Sequence, residues 1–213
     1  MKSYLSIDLD YWFYYSSPKS INSLKRILDQ VKNIPDKLLV DEHHNLLDQI
    51  NSSQCDKIIH VDYHQDLVFE TKGPFGKVGD KIECGNFLYF VNNKENIDFD
   101  WYYPDCDECI KKGLGFCMDL SYKPLAKNNF VYKNQKRKCG LPTNKELENV
   151  TSVGIAFSFD YLVIDYDRIN HFMKVLKWLI EIFDFETVKG TMINYPLMND
   201  WEEGQEILYL LGE

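Results

Sequence analysis

The sequence contains no apolar run long enough to span a membrane, few histidines, and fewer basic than acidic residues. A transmembrane helix needs about 20 consecutive apolar residues, so no membrane association is expected. Asp8 follows the first residue too closely to leave room for the apolar region of a signal peptide, and we therefore expect a cytoplasmic location. The net charge of −9 argues against nucleic acid as the main partner.

The composition favours one globular domain that spans residues 1–213. Hydrophobic residues make up 45% of the chain and charged residues 27%, which is typical of a protein with a sizeable core. No internal repeat is visible. The sequence therefore predicts a single domain without repeats.

Strand and helix patterns alternate over the first 95 residues, which indicates an α/β domain with a mainly parallel sheet. Strands are predicted at residues 3–9, 37–41, 57–62, 99–103 and 152–157. The clearest helix pattern covers residues 167–183, where apolar residues recur at helical spacing. The region around 98–150 is less regular and is interpreted as an insertion carrying small strands. Its basic run, Lys133 to Lys138, is interpreted as a solvated face rather than a binding site.

Four of the five histidines fall between positions 43 and 64, close to several aspartates. The stretch His60-Val61-Asp62-Tyr63-His64-Gln65-Asp66 directly follows the β-branched pair Ile58-Ile59. Side chains two residues apart on a strand point the same way, so this spacing predicts that Asp62, His64 and Asp66 converge. Carboxylates and imidazole together are typical ligands of a divalent metal.

Two further groups of the same kind follow predicted strands, at Asp8-Leu9-Asp10 and at Asp41-Glu42-His43-His44. In parallel sheets, ligands bind at the carboxyl ends of strands, where all three groups are expected to lie. The pattern therefore predicts two metal ions. The predicted carboxylate ligands are Asp8, Asp10, Asp62 and Asp66, and the predicted imidazole ligands are His43 and His64.

The abundance of carboxylates favours manganese over zinc, and a water held between two such ions would become hydroxide near neutral pH. The expected chemistry is hydrolysis. Each motif also has a plain structural interpretation, because Asp-x-Asp is common in turns and helix caps. His43 and His44 could similarly be ordinary residues at the start of a helix.

Six cysteines occur in a chain without an export signal, so disulfides are not expected. The spacing of four of them is compatible either with a structural zinc site or with reduced, partly buried thiols. These four are Cys106, Cys109, Cys117 and Cys139.

Asp8-x-Asp10, His43 and Asp62-x-His64-x-Asp66 resemble the metal ligands of the arginase/deacetylase (ureohydrolase-like) superfamily. Four segments resemble, more narrowly, the motifs of its peptide arginase branch: Ile7-Asp8-Leu9-Asp10-Tyr11-Trp12, Val40-Asp41-Glu42-His43-His44, Gly85-Asn86-Phe87-Leu88 and Ile155-Ala156-Phe157-Ser158-Phe159-Asp160-Tyr161. The resemblance implies a three-layer α/β/α fold. It also implies Mn-dependent hydrolysis of arginine residues in a ribosomally synthesised precursor peptide, giving ornithine and urea.

The resemblance also implies how two manganese ions would be shared. One would be bound by His43, Asp62, Asp66 and Asp8, and the other by His64, Asp62, Asp8 and Asp10. Ordinary arginases place the aspartate pair late in the chain, whereas Asp8 and Asp10 come first here. The chain order of the fold is therefore expected to be rearranged.

Three further residues receive candidate catalytic roles. Asp160 would occupy the position of the acid that holds the substrate guanidinium, a planar cation suited to a carboxylate. His44 is a candidate for proton transfer. Asn86 either orients the substrate or a metal-bound carboxylate, or caps a helix.

Three other functions fit parts of the pattern. A metal-dependent deacetylase or amidohydrolase of the same fold would use a single zinc ion. A haloacid dehalogenase-type phosphatase would explain Asp8-Leu9-Asp10 but would leave Asp62-x-His64-x-Asp66 without a role. A metal-stabilised, non-catalytic peptide-binding module would bind the peptide without changing its mass.

Overall fold

The computed structural model describes residues 1–13, 20–64, 66, 67, 82, 84–103, 132–159, 162 and 168–193. Its centre is one six-stranded sheet in which every strand pair is parallel. The strands are β1 (Ser3–Asp8), β2 (Asp36–Val40), β3 (Lys57–Val61), β4 (Asp98–Tyr103), β5 (Asn134–Cys139) and β6 (Val150–Ala156). Their order across the sheet is β2-β6-β1-β3-β4-β5. The α/β class and the parallel sheet predicted from the sequence are confirmed.

The helices within the described residues are α1 (Asp10–Phe13), α2 (Ile21–Val31), α3 (Leu47–Ser53), α4 (Asn144–Leu147), α5 (Ile169–Phe183) and α6 (Phe185–Ile193). Short 3₁₀ helices cover His43–Leu46, Phe87–Phe90 and Lys94–Asn96. The predicted helix at residues 167–183 is confirmed as α5. Among the described helices, none combines the length and apolarity needed to cross a bilayer.

Two apolar clusters lie on opposite faces of the sheet, because alternate strand residues point to opposite sides. Leu5 and Ile7 of β1 belong to the cluster that packs with α2, α5 and α6. Tyr4 of the same strand belongs to the cluster that packs with α3 and the 3₁₀ helices. Helices therefore cover both faces, and Ser6 and Asp8 share the second face with Tyr4.

The region around 98–150 is not wholly an insertion, which corrects the sequence-based interpretation. β4 and β5 extend the central sheet, with Asp98 paired to Asn134 and Tyr103 to Cys139. β5 was missed because its sequence, Asn-Gln-Lys-Arg-Lys-Cys, has almost no apolar residues. As an edge strand, it does not need the apolar pattern of a buried strand. Residues 104–131 of this region lie outside the described residues.

The basic run is partly solvated and partly structural. Lys133 and Lys136 are exposed, as expected. Nζ of Lys138 instead lies 2.8 Å from Oδ2 of Asp100 on β4 and 2.7 Å from Oε1 of Glu146 on α4. Lys57 of β3 also pairs with Asp100. These contacts join three strands and a helix, so this part of the run stabilises the sheet edge.

Gly154 of β6 lies against Tyr4 and Leu46, with no room for a side chain. A Cβ atom added there would lie 2.1 Å from the Tyr4 hydroxyl oxygen and 2.7 Å from both Cδ atoms of Leu46. We expect Gly154→Ala to lower the free energy of unfolding by about 3 kcal/mol, because the strand and its neighbours must shift to make room. Chemical denaturation would measure this. The control is Gly190→Ala in α6, where nothing lies within 4 Å of the added atom and alanine favours the helix. Equal stability of the two variants would contradict the prediction.

Candidate metal centre

The predicted metal-binding residues meet at the carboxyl ends of the central strands. β1 and β3 are neighbours in the sheet. The strand that follows β1 in the chain, β2, lies toward one edge, whereas the strand that follows β3, β4, lies toward the other. Such a change of direction opens a crevice between two strand ends, which is where parallel sheets bind ligands. Asp8 ends β1, and Asp62 directly follows β3. The topology therefore brings the Asp8-Leu9-Asp10 group together with the group that begins at Asp62.

The end of β6 links β2 to this crevice. The backbone N–H groups of Phe157 and Ser158 donate to the carbonyl oxygens of Val40 and Asp41, at 3.0 and 2.8 Å. These bonds hold the end of β2, and the 3₁₀ helix that starts at His43 follows directly. His43 can therefore reach across β6 to β1, where its Nε2 lies 2.7 Å from Oγ of Ser6.

The other ring nitrogen of His43 faces a group of carboxylates. Three Oδ2 atoms surround its Nδ1, at 3.1 Å for Asp8, 2.9 Å for Asp62 and 3.1 Å for Asp66. The His43 ring is fully buried, and the three carboxylate residues are at most 4% exposed. One imidazole and three carboxylates thus converge on one small volume, which we call the first subsite.

A second group, which we call the second subsite, shares Asp62 with the first. Nδ1 of His64 lies 3.1 Å from Oδ2 of Asp10 and 3.9 Å from Oδ1 of Asp62. Ligand atoms of these three residues all lie within 4.8 Å of one another. Asp62 therefore lies between the two subsites, with Oδ2 toward His43 and Oδ1 toward His64.

Hydrogen bonds hold the carboxylates in position. Oγ of Ser158 donates to Oδ2 of Asp8 at 2.5 Å. The backbone N–H of Asp10 donates to Oδ1 of Asp8 at 3.0 Å, and that of His64 donates to Oδ1 of Asp62 at 2.7 Å. Such outer contacts orient metal ligands and are part of the design of metal sites.

Two residues of the centre have left-handed backbone conformations. Asp66 has φ of 52° and Ser158 has φ of 48°. Residues other than glycine rarely adopt this conformation, and it costs of order 1 kcal/mol or more each. Backbone strain of this kind is concentrated at functional sites.

The centre concentrates negative charge away from water. Asp8, Asp10, Asp62 and Asp66 are all buried. In the described part of the chain, no lysine or arginine forms an ion pair with any of them; their partners at ion-pair distance are imidazoles, which are charged only when protonated. The four carboxylates outnumber these imidazoles, and unmatched buried charge is costly, so this charge distribution favours a bound metal.

The close packing of these buried carboxylates and imidazoles shifts their pKa values. Burial and the charges of Asp8 and Asp62 raise the pKa of Asp10, while burial and the charge of Asp62 raise that of Asp66. Burial opposes ionisation of Asp62 as well, but the imidazoles of His43 and His60, with nitrogens 2.9 and 3.3 Å from its Oδ2, lower its pKa well below the usual range. Burial disfavours the charged form of His64, but its contact with Asp10 outweighs burial and raises the pKa to about 10.

His60 is a residue of the centre that the sequence-based ligand set omits. Its ring is fully buried, stacks on His43 with ring centroids 5.1 Å apart, and has Nε2 3.3 Å from Oδ2 of Asp62. Among the described residues, neither ring nitrogen forms a hydrogen bond. His60 and Asp62 are two residues apart at the end of β3, and this spacing was the signal that could have identified it.

Polar atoms without hydrogen bonds mark the positions where an ion would bind. Within the described residues they include Nδ1 of His43, Nε2 of His60, and the Oδ2 atoms of Asp10, Asp62 and Asp66. Buried polar groups normally have partners, and a group without one needs an explanation such as an ion. The His43, His60, Asp62 and Asp66 cluster could hold a metal ion.

The three candidate catalytic residues lie in different surroundings. His44 lies next to Glu42 and Cys84, with Nδ1 3.1 Å from Oε2 of Glu42 and 3.3 Å from Sγ of Cys84. Asn86 is buried and precedes the 3₁₀ helix Phe87–Phe90, but its side chain makes no capping hydrogen bond. Asp160 lies outside the described residues.

Of the four cysteines whose spacing is compatible with a zinc site, Cys139 lies within the described residues, where it ends β5 and is exposed. Cys106, Cys109 and Cys117 lie outside the described residues. Cys55 and Cys84 form no disulfide within the described part of the chain. Burial raises the pKa of Cys84 to about 12, so its thiol is protonated at neutral pH when no metal is bound.

Comparisons with protein-family models, with curated proteins and with solved structures found no match to this chain. A functional assignment therefore depends on the residues and geometry of the site.

Proposed function

We propose that the protein is a manganese-dependent hydrolase that converts arginine residues within a peptide to ornithine and releases urea. The observation that carries the proposal is the group of four buried carboxylates and two imidazoles, His43 and His64, at adjoining strand ends. The resemblance of the surrounding motifs to those of peptide arginases supports the choice of reaction. The arginase-like identity of the fold is part of this proposal.

We assign one ion to the first subsite and one to the second. The contacts of His43 Nδ1 with three carboxylates support the first assignment. The contact between His64 and Asp10, next to the shared Asp62, supports the second. Two cations held close together need negative charge between them, which Asp62 supplies and to which Asp8 is proposed to contribute. Oxygen-rich ligand sets favour manganese over zinc.

When bound, the ions would act as Lewis acids and lower the pKa of bound water. The protein's own contribution is to fix the ligands: Ser6 orients His43, and Ser158 orients Asp8. We propose that Asp160, two residues after Ser158, receives the substrate guanidinium through paired N–H···O bonds. The overall reaction consumes one water for each arginine and yields one ornithine and one urea.

The test is to incubate metal-free protein with Mn²⁺ and a synthetic peptide that contains one arginine. Formation of urea, with a peptide mass lower by one cyanamide equivalent (CH₂N₂), is the expected result. The control peptide carries lysine in place of arginine and should remain unchanged. Manganese-loaded protein that leaves a panel of arginine peptides intact would contradict the proposal.

His60 favours one alternative, a single-zinc deacetylase or amidohydrolase. With His60, the first subsite offers two imidazoles as well as carboxylates, and zinc accepts such mixed nitrogen and oxygen ligands. This alternative predicts one zinc per chain and release of acetate from an acetyl-lysine peptide. Measuring metal content and both products in the same preparation separates the two functions.

A further inference from the structure

A separate group of potential ligands lies beside the candidate metal centre. It consists of Glu42, at the N-terminal end of the 3₁₀ helix His43–Leu46; His44, within that helix; and Cys84, from a distant part of the chain. All three residues are partly buried, with the side chains of His44 and Glu42 28% and 36% exposed. None of them belongs to the proposed manganese ligands.

The three ligand atoms form a nearly regular triangle. Nδ1 of His44 lies 3.1 Å from Oε2 of Glu42 and 3.3 Å from Sγ of Cys84, and that sulfur lies 3.6 Å from the same Oε2. In a tetrahedral zinc site, with nitrogen and oxygen at about 2.0 Å and sulfur at about 2.3 Å, the ligand atoms lie roughly 3.3–3.6 Å apart. The triangle therefore has nearly the dimensions of three corners of a zinc tetrahedron.

Without a metal, Oε2 of Glu42 can accept from both neighbours, because a carboxylate oxygen has two lone pairs. The Cys84 thiol donates to it at 3.6 Å, and His44 Nδ1 donates to it at 3.1 Å in the tautomer that carries a hydrogen there. A cation inside the triangle would replace both hydrogens and contact all three atoms at once, including the nitrogen and the sulfur that lie 3.3 Å apart.

We propose that Glu42, His44 and Cys84 supply three ligands of a zinc site. Thiolate and imidazole ligands favour zinc, whereas the oxygen-rich centre next to them favours manganese. Bound zinc joins the segment Cys84-Gly85-Asn86 to the helix that carries His43. The site goes beyond the proposed hydrolase function and does not depend on it.

The test is a titration of metal-free protein with Co²⁺, a spectroscopic substitute for zinc, followed by Zn²⁺ competition. The wild-type protein should develop a near-ultraviolet thiolate-to-cobalt charge-transfer band that zinc removes. Cys84→Ala should abolish the band and weaken zinc binding at this site by more than the roughly 10–100-fold that loss of an outer-shell partner causes. Cys139→Ser, the matched control at an exposed cysteine, should retain the band.

A second variant separates loss of a ligand from misfolding. His44→Gln retains the thiol and should also lose the band, with an unchanged far-ultraviolet circular dichroism spectrum. Asp62→Asn, in the manganese centre, should keep the band, so failure of one site does not imply failure of the other. A wild-type protein without the band, or a band that persists in Cys84→Ala, would overturn the proposal.

Discussion

Replacing Asp62 with asparagine is expected to abolish manganese binding and peptide hydrolysis together. Asp62 faces His43 through one oxygen and His64 through the other, so the substitution removes negative charge from both subsites. Loss of affinity should exceed the roughly 10–100-fold that outer-shell substitutions cause. Without the ions, no water of lowered pKa forms, and urea production should fall below detection. Metal analysis after gel filtration and the urea assay measure the two effects.

Asparagine should allow the chain to fold, because its side-chain oxygen can still accept the hydrogen bond from the His64 backbone N–H. Some loss of stability is expected, since the adjacent imidazoles of His43 and His60 favour Asp62 as an anion and lower its pKa. The control is Asp100→Asn, which changes another buried carboxylate, one paired with Lys57 and Lys138 rather than with the centre. This variant should be less stable but keep its metal. A folded Asp62→Asn protein that retains two manganese ions would refute the assignment of Asp62.

The position of the centre was predictable because strand patterns and metal-ligating residues follow each other closely in the sequence. The reason offered for the convergence of Asp62, His64 and Asp66 was nevertheless wrong. β3 ends at Val61, so those three residues lie beyond the strand rather than along it. The backbone N–H of Asp62 still donates to the Tyr102 carbonyl oxygen at 3.1 Å, so strand geometry reaches one residue past Val61 and places Asp62 on the same side as His60. A ligand set that begins at Asp62 leaves His60 out. Asp62 and Asp66 lie together as expected, both within reach of His43, but strand alternation is not the cause.

Other features depend on long-range packing that no local pattern specifies. Ser158 contacts Asp8 only because β6, far along the chain, inserts between β1 and β2. The meeting of Cys84 with His44 likewise joins residues 40 positions apart. β5 carries a polar sequence that is acceptable only at a sheet edge. These contacts follow from strand order, which a single sequence does not reveal.

Asp66→Asn is expected to have opposite effects on the metal-free and metal-loaded protein. Burial and the charge of Asp62 raise the pKa of Asp66, so its ionised form destabilises the metal-free fold. A neutral asparagine removes that repulsion and tolerates the left-handed backbone at φ 52°. We expect Tm of the metal-free protein to rise by about 2–4 °C, the shift that about 1 kcal/mol produces in a domain of this size.

The same substitution should remove most of the stabilisation that manganese provides. A ligand at 100 times its Kd stabilises a protein by about 2.7 kcal/mol, and this gain disappears when affinity is lost. Thermal unfolding with and without Mn²⁺ would show both effects in one experiment. Asp100→Asn is the control, and its Tm should change in the opposite direction. The lysine partners of Asp100 lower its pKa despite burial, so neutralising this carboxylate should lower Tm. If Asp66→Asn lowered Tm without metal and left the manganese response intact, Asp66 would be a structural ion-pair residue. A purely structural cluster should become less stable when a charge is removed. A metal centre should instead become more stable in its metal-free form and lose its affinity for Mn²⁺.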